Sequence, residues 1–323
     1  MLQQSALNIL RGFCMGAADT VPGVSGGTVA LILGHYTRLV TAISHFDRTA
    51  LAMLGKRQWS KLIKHLDLIF LLLLGIGIIL GIGTLSGAMH WMLDHHLPET
   101  FAAFLGFLLA SVWIVKDKIR TWYFGTWLAF IGGAAAAIAI SLLQPSTADA
   151  SLGYLFVAGA VAICAMILPG ISGAFVLLLF GVYHLITGII KDTVKLQIEL
   201  EALVSLGVFA LGCGIGLLAF SKLLRHLLQH HRDLTMATLV GLMAGSVVKL
   251  YPLQRPTAET ADLDLKDRVM ESFSPARWDQ PVWHLLIIVV VSAVVIGVIE
   301  RRFGESDSQV DSHSPLPRAD IQQ

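Results

Sequence analysis

A Pro-Gly-x-Ser-Gly motif occurs twice in the 323-residue chain, at residues 22–26 and, 147 positions later, at residues 169–173. Each copy begins a stretch of 22 residues that aligns without a gap, and nine of the 22 are identical. Proline lacks a backbone N–H and disfavours helix in the residue before it, so each motif is expected to break a helix. A helix that begins at Ser25 or Ser172 directs N–H groups and a partial positive charge toward the break. This arrangement is suited to binding an anion.

The composition indicates that these motifs belong to a membrane protein. The chain is 55% hydrophobic and only 14% charged, whereas about 25% of a typical soluble domain is charged. Several apolar runs reach the roughly 20 residues that a helix needs to cross a bilayer. We therefore predict an all-α polytopic membrane protein. The net charge of +1 gives no general attraction to nucleic acid, and the sequence has no zinc-ligand spacing, so we expect no nucleic-acid partner, metal or cofactor.

Each half of the chain is predicted to contain one broken helix hairpin followed by three transmembrane helices. The hairpins consist of helices 5–19 and 25–44 in the first half, and of helices 152–167 and 172–190 in the second. We expect both to be re-entrant, because their first helices are short and end at Pro-Gly. The predicted spans are 67–92, 99–116, 121–143, 202–221, 234–250 and 282–299. Glycines in the first span include two small-xxx-small spacings, which let helix backbones pack closely.

The distribution of Lys and Arg predicts the orientation of the chain. The basic linker 45–66 contains five of these residues, and the predicted loops 116–121 and 222–233 contain three each. Loops with many Lys and Arg face the cytoplasm, which places both termini inside and segment 251–281 in the periplasm. Three is an odd number of spans, so the two halves are predicted to be inserted in opposite orientations. Such an inverted repeat is typical of transporters.

These predictions divide the chain into two membrane repeats and a tail. The first repeat is expected at 1–144 and the second, which includes the periplasmic segment, at 145–302. The tail, residues 303–323, is rich in Ser, Asp and Pro and is predicted to be a disordered cytoplasmic segment.

Both motifs, with the residues that follow them, form the predicted anion-binding site. Broken helices at membrane depth must face protein or a wet cavity, so the two helix starts are expected to meet near the midplane. The alternative is that the motif is only a tight turn that lets two hairpins pack while solutes pass elsewhere. The predicted substrate-binding residues of the motifs are Pro22, Gly23, Ser25, Gly26, Gly27, Thr28, Pro169, Gly170, Ser172 and Gly173.

Three charged side chains complete the candidate site. Arg11 and Arg38 are candidates for substrate binding, and Asp19 is the candidate coupling residue, which would take up a proton or a cation. Asp19 lies beside the first motif, whereas its counterpart in the second half is Met166. The alternatives are a structural pair of Asp19 with an arginine, and an Arg38 side chain that only extends to the membrane interface.

A longer pattern surrounds the motifs, and it resembles a known family. Its residues are Gly12, Gly16, Ala17, Ala18, Asp19, Val21, Pro22, Gly23, Val24, Ser25, Gly26, Gly27, Thr28, Gly34 and Tyr36, followed by Leu168, Pro169, Gly170, Ile171, Ser172 and Gly173. The pattern is similar to that of a bacterial and archaeal inner-membrane family associated with undecaprenyl-phosphate translocation, the PopT-type polyprenyl-phosphate translocases. The resemblance covers nearly the whole region of the predicted spans.

The resemblance implies a transporter that returns the lipid carrier undecaprenyl phosphate from the outer to the inner leaflet, for reuse in cell-envelope polymer synthesis. It implies a multi-pass protein of the bacterial cytoplasmic membrane, with a polyprenyl-phosphate lipid and the membrane lipids as partners. The phosphate would bind at the two helix starts while the apolar tail stays in lipid. Pairing of two copies as a homodimer is compatible with the sequence.

Two other functions fit parts of the same pattern. A transporter or channel for a small soluble anion would use the same helix starts but would need no lateral opening to lipid. Residues 23–27 also match the G-x-S-x-G pattern of serine hydrolases, and an intramembrane hydrolase would need a histidine from another span. The nearest candidates, His90, His184 and His284, lie near predicted span ends. Since the motif occurs in both halves although a hydrolase needs one nucleophile, we expect a transporter and not an enzyme.

Overall fold

The computed structural model describes residues 2–20, 25–143, 151–194, 200–257, 268, 270–274 and 282–303. The first half contains α1 (Leu2–Asp19), α2 (Gly26–Ile32), α3 (Tyr36–Ser44), α4 (Arg48–Gly55), α5 (Trp59–His65), α6 (Leu68–His95), α7 (Leu97–Lys116) and α8 (Phe124–Leu142). The second half contains α9 (Leu152–Ile167), α10 (Gly173–Leu179), α11 (Tyr183–Val194), α12 (Leu200–His230), α13 (Arg232–Ser246), the 3₁₀ turn Val247–Leu250, strands β1 (Gln254–Pro256) and β2 (Met270–Ser272), and α14 (Trp283–Phe303).

The prediction of a helical membrane protein is confirmed. Among the described residues, five helices are long and apolar enough to cross a bilayer: α6, α7, α8, α12, and α13 together with the 3₁₀ turn. The sixth predicted span is α14, whose apolar stretch Trp283–Val298 is shorter. Large apolar side chains are exposed on α6, α8 and α14, among them Ile79, Phe124 and Leu286, as a lipid-facing surface requires.

Both hairpins contain a second break, which the sequence analysis missed. The prediction of single helices at 25–44 and 172–190 is wrong, because each is divided at a glycine: Gly34 separates α2 from α3, and Gly181 separates α10 from α11. The two glycines have φ angles of 79° and 67°, a left-handed conformation that ends a helix. α10 and α11 are bent by 114° at Gly181, which lies within the predicted helix 172–190, whereas the sequence predicted the turn of the hairpin at Pro169-Gly170.

Two predicted linkers are largely helical in the structure. The basic linker 45–66 contains α4 and α5, and α12 continues to His230 instead of ending before a loop at 222. α12 is longer than predicted because its apolar stripe continues into the basic region. Leu224 and Leu228, one helical turn apart, are both buried in the core.

The helices pack in pairs that recur in the two halves. α1 packs along α6, the first span of its half, and α9 packs along α12 in the same way. Two further pairs join the halves, α8 with α13 and α7 with α14. The one-residue joints between the first and second spans of each half also have similar backbone angles. His96, between α6 and α7, has φ −137° and ψ 48°, and His231, between α12 and α13, has φ −131° and ψ 46°. These correspondences support a duplicated unit, and the opposite orientation of its two copies stays a prediction.

Glycines allow the paired helices to approach closely. A Cβ atom on Gly77 of α6 would collide with the carbonyl of Ile9 on α1, and one on Gly212 of α12 would collide with the backbone of α9. Gly77 belongs to the first of the two small-xxx-small spacings in α6. The second, Gly83 and Gly87, faces open space, so one of the two spacings serves packing within this chain.

The small sheet belongs to segment 251–281, which the structure describes in part. Arg255 of β1 pairs with Glu271 of β2 in antiparallel register. Arg268, between the two strands in sequence, places its Nη1 atom 3.2 Å from Oδ1 of Asp94 near the end of α6. This ion pair connects the segment to the first span. The predicted tail after Phe303 lies outside the described residues.

Candidate functional site

The first motif begins the short helix α2. Pro22 and Gly23 lie outside the residues that the structure describes. Ser25 is the N-cap of α2, with an extended backbone (φ −122°, ψ 136°) and a hydroxyl that accepts a hydrogen bond from the Gly27 N–H at 3.1 Å. A serine cap of this kind satisfies one of the N–H groups that a helix start leaves unpaired. The buried residues at this helix start are Ser25, Gly26, Gly27 and Thr28.

Asp19 supplies a second hydrogen-bond acceptor to the same helix start. It is the last residue of α1, and its Oδ1 atom accepts a hydrogen bond from the Gly26 N–H at 2.6 Å. The carboxylate therefore lies at the positive end of α2, where an anion is stabilised. An external phosphate would reach this N–H group only if Asp19 were displaced. The sequence indicated that Asp19 lies beside the motif, but it did not predict this bond.

Side chains of the first hairpin bind the backbone of the second motif. The Ser25 hydroxyl donates to the Leu168 carbonyl at 3.4 Å, and the Tyr36 hydroxyl donates to the Ile167 carbonyl at 3.1 Å. In the other direction, the Gly170 N–H donates to the Thr28 hydroxyl at 3.0 Å. The structure thus brings the two motifs together, as the sequence analysis expected.

The second motif also begins a helix directly after its serine, but its surroundings differ from those of Ser25. Pro169 is buried, and Gly170 has a φ of 84° and packs against the backbone of Leu242 on α13. Only glycine meets both conditions, because a side chain here would be strained and would also collide. Ser172 precedes α10 in an extended conformation, its side chain makes no capping hydrogen bond, and Gly173 is the first residue of the helix.

A small cleft beside the second motif contains a lysine that the sequence analysis missed. The cleft is bounded by Gly170, Ile171 and Ser172 of the motif, by α8 and by the 3₁₀ turn after α13. Lys249, from that turn, lines it, and its ammonium group lies over the ring of Phe175. The sequence did carry a signal, since Lys249 is the one charged residue between Leu234 and Leu250.

Arg11 lies at the end of α2 opposite Ser25. Its side chain is buried, and Nη2 donates to the carbonyl of Leu33 at 3.5 Å. Lys118, which follows α7, donates from Nζ to the carbonyl of Leu31 at 2.9 Å. The two cations therefore bind the carbonyl end of α2, where the helix dipole favours positive charge. The role of Arg11 in substrate binding stays a prediction.

The Arg38 side chain contacts groups that lie outside the two motifs. Its Nε and Nη2 atoms donate to the carboxylate of Asp67 at 2.6 and 3.0 Å, and its guanidinium lies 4.2 Å from the centre of the Phe70 ring. A bidentate pair of this kind fixes the side chain firmly. Its half-exposed position favours the interfacial alternative, and a contact with substrate stays a prediction.

The hydrolase alternative requires a histidine next to one of the motif serines. The Ser25 hydroxyl contacts backbone groups, and within the described part of the chain no histidine is hydrogen-bonded to Ser25 or Ser172. Two of the candidate histidines, His90 and His284, instead lie beside the carboxylates of Asp94 and Glu99. The geometry of the described residues therefore gives hydrolysis no support.

The fold and the paired motifs show which class of protein this is. It is a multi-pass helical membrane protein in which two broken helix hairpins contact each other. Residues 15–265 match the family model described as undecaprenyl phosphate translocase-like. The match covers more than half of the chain, which therefore belongs to this family.

Two relatives carry the same functional name. The chain is 36% identical to the polyprenyl-phosphate transporter of Vibrio cholerae over 303 residues, which cover 92% of the chain and 96% of the relative. It is 35% identical to the polyprenyl-phosphate transporter of Staphylococcus aureus over 267 residues, which cover 78% of the chain and 88% of the relative. No solved structure matches the chain.

Proposed function

We propose that the protein is a transporter that returns undecaprenyl phosphate from the outer to the inner leaflet of the bacterial cytoplasmic membrane. Membership of the undecaprenyl phosphate translocase-like family and two relatives named polyprenyl-phosphate transporter support this substrate. The recovered lipid carrier would be used again for cell-envelope polymers. In this proposal both termini lie in the cytoplasm, as the positions of Lys and Arg predict.

The observation that carries the proposal is the direct contact between the two motifs. The side chains of Ser25, Thr28 and Tyr36 all bond to backbone atoms of residues 167–170, so the start of α2 lies against the second motif. A phosphate bound at the start of α2 is therefore close to the second motif. The two helix starts would form one site that is opened to each leaflet in turn, while the apolar tail of the lipid remains in the bilayer.

Asp19 gives this site a means of coupling transport to protons. Its carboxylate binds the Gly26 N–H, a group that a phosphate would otherwise use. A charged Asp19 also repels a phosphate dianion, and protonation removes that repulsion. In our proposal Asp19 takes up a proton when the phosphate enters the first motif and releases it afterwards. Arg11, at the far end of α2, would add positive charge to the path.

Reconstitution in liposomes tests the proposal directly. The rate of leaflet exchange is measured for a polyprenyl phosphate and for the neutral polyprenol of the same length. We expect the protein to accelerate exchange of the phosphate and not of the alcohol. Equal acceleration of both lipids would contradict a phosphate site. Uptake of inorganic phosphate without exchange of the lipid would favour the transporter of a small soluble anion instead.

A further inference from the structure

We infer that Lys249 is the residue that recognises the phosphate group at the second motif, together with the hydroxyls of Ser172 and Ser141. This inference rests on the proposed function, because it names the groups that hold the phosphate of the same substrate. Three observations carry it: the surroundings of the lysine, the donors that share its cleft, and the difference in charge between the two motifs.

The surroundings of Lys249, as far as the structure describes them, leave its charge without an ionic partner. In the described residues, the ammonium group lies over the Phe175 ring and is not paired with a carboxylate. Lys249 is the single charged residue of an otherwise apolar stretch from Leu234 to Leu250. A positive charge in such a segment is costly, and a contact with an aromatic ring compensates for only part of that cost. An apolar residue would avoid the cost, so the charge itself indicates a role.

The cleft around Lys249 offers donors of the kind that a phosphate requires. Ser172 of the motif and Ser141 of α8 line the same cleft as the lysine. The Ser172 side chain makes no capping bond to α10, so its hydroxyl is not committed to the helix. Each hydroxyl can donate one hydrogen bond and an ammonium group can donate three. A phosphate monoester carries negative charge and several strong acceptor oxygens, which match this set.

The two motifs differ in charge, and this difference favours binding of the phosphate at the second motif before the first. At the first motif, Asp19 already binds the Gly26 N–H and repels an anion. At the second, Met166 stands in place of that acid and Lys249 adds a positive charge. A phosphate is therefore attracted to the second motif first, and it passes to the first motif when Asp19 becomes neutral. In the predicted orientation, Lys249 faces the outer leaflet and captures the lipid there.

The test compares three variants of the full chain in the liposome exchange assay. Lys249→Met removes the charge with little change in shape, and Lys249→Arg retains it. Lys116→Met is the matched control, because the Lys116 ammonium also lies over an aromatic ring, that of Trp113, but outside both motifs. We expect K249M to slow exchange of polyprenyl phosphate at least about tenfold, as loss of a charged hydrogen-bond donor does. K249R and K116M should stay close to the unsubstituted protein.

The outcomes separate this inference from the proposed function. If the unsubstituted protein does not prefer polyprenyl phosphate to polyprenol, the proposed function fails. If it does, and K249M keeps both the rate and the preference, the assignment of Lys249 is overturned while the proposed function stands.

A second measurement on the unsubstituted protein covers the case in which K249M does not fold. Acylation of lysine amines is followed by mass spectrometry, with Lys116 as the internal reference. We expect polyprenyl phosphate to slow acylation of Lys249 and polyprenol to have no effect. Equal protection by inorganic phosphate would assign the cleft to free phosphate, and absence of protection by either phosphate would overturn the inference.

Discussion

Asp19 links the chemistry of the first motif to the fold around it. It ends α1, where the carbonyl end of the helix dipole disfavours a carboxylate, and the Gly26 N–H at the start of α2 offsets that effect. The side chain therefore holds the two helices of the hairpin in register and also competes with an entering anion. Protonation would weaken the bond and remove the competing charge in one step.

Replacement of Asp19 by asparagine should remove the pH dependence of transport that this group causes. Asparagine keeps an oxygen that accepts from the Gly26 N–H, but it is neutral at every pH. Exchange of polyprenyl phosphate by Asp19→Asn liposomes should therefore vary less with pH than exchange by the unsubstituted protein. Asp47→Asn is the control, because Asp47 likewise accepts a hydrogen bond from a backbone N–H, that of Ala50 at the start of α4, but lies outside the candidate site. If the Asp19 variant keeps the pH profile of the unsubstituted protein, Asp19 has no role in proton coupling.

Thr28 provides a test of the contact between the two motifs. Its buried hydroxyl accepts the hydrogen bond of the partly buried Gly170 N–H, and valine has the same shape without the hydroxyl. Thr28→Val should lower the free energy of unfolding by about 1 kcal/mol, because the Gly170 N–H loses its hydrogen-bond acceptor. Thermal unfolding in detergent measures this change. Thr84→Val is the control, since that exposed hydroxyl donates to the Leu80 carbonyl of its own helix and lies outside the contact between the motifs.

At the residue scale, the sequence contained signals for local structure, but it did not predict the individual bonds between distant residues. The Ser25 cap follows from a serine that precedes two glycines and an apolar run, so it could be predicted. The contact of Lys249 with Phe175 joins residues 74 positions apart and depends on how α13 packs against the hairpin. Sequence pattern alone indicates that such a lysine is unusual, but not what it contacts.

At the scale of elements, the hairpins show where helix prediction from apolar runs fails. A single glycine in an apolar run is often tolerated inside a helix, so Gly34 and Gly181 did not indicate a break. In the structure, Arg11 and Lys118 bind the carbonyls at the end of α2 and stabilise its early termination. These cations come from α1 and from the loop after α7. The break therefore depends on tertiary contacts that the local sequence does not contain.

Gly77 tests the packing of α1 against α6. A leucine at this position would collide with the backbone of α1, so the helices would have to separate. Gly77→Leu should lower the free energy of unfolding by at least about 1–3 kcal/mol, as overpacking does. Gly83→Leu on the same helix is the matched control, because Gly83 faces open space. Equal thermal unfolding of the two variants would contradict the close α1–α6 contact.

For the whole molecule, the sequence predicts two repeats because the motif occurs twice and precedes a similar apolar run each time. The structure adds pairings that the sequence could not provide, since α8 packs with α13 and α7 with α14 across the halves. Each half thus contributes its second and third spans to contacts with the other. The core in which the motifs meet is therefore formed only when both repeats have folded.

The predicted opposite orientation of the repeats can be tested at two equivalent joints. His96 and His231 are both exposed, and each connects the first span of its half to the second with nearly the same backbone angles. In an inverted repeat these joints lie on opposite sides of the membrane. Single cysteines are placed at each position after Cys14, Cys164 and Cys213 have been replaced by serine. A membrane-impermeant maleimide should label His96→Cys in intact cells and His231→Cys only after permeabilisation. Labelling of both from the same side would show that the halves are parallel, and the shared site would then need a different explanation.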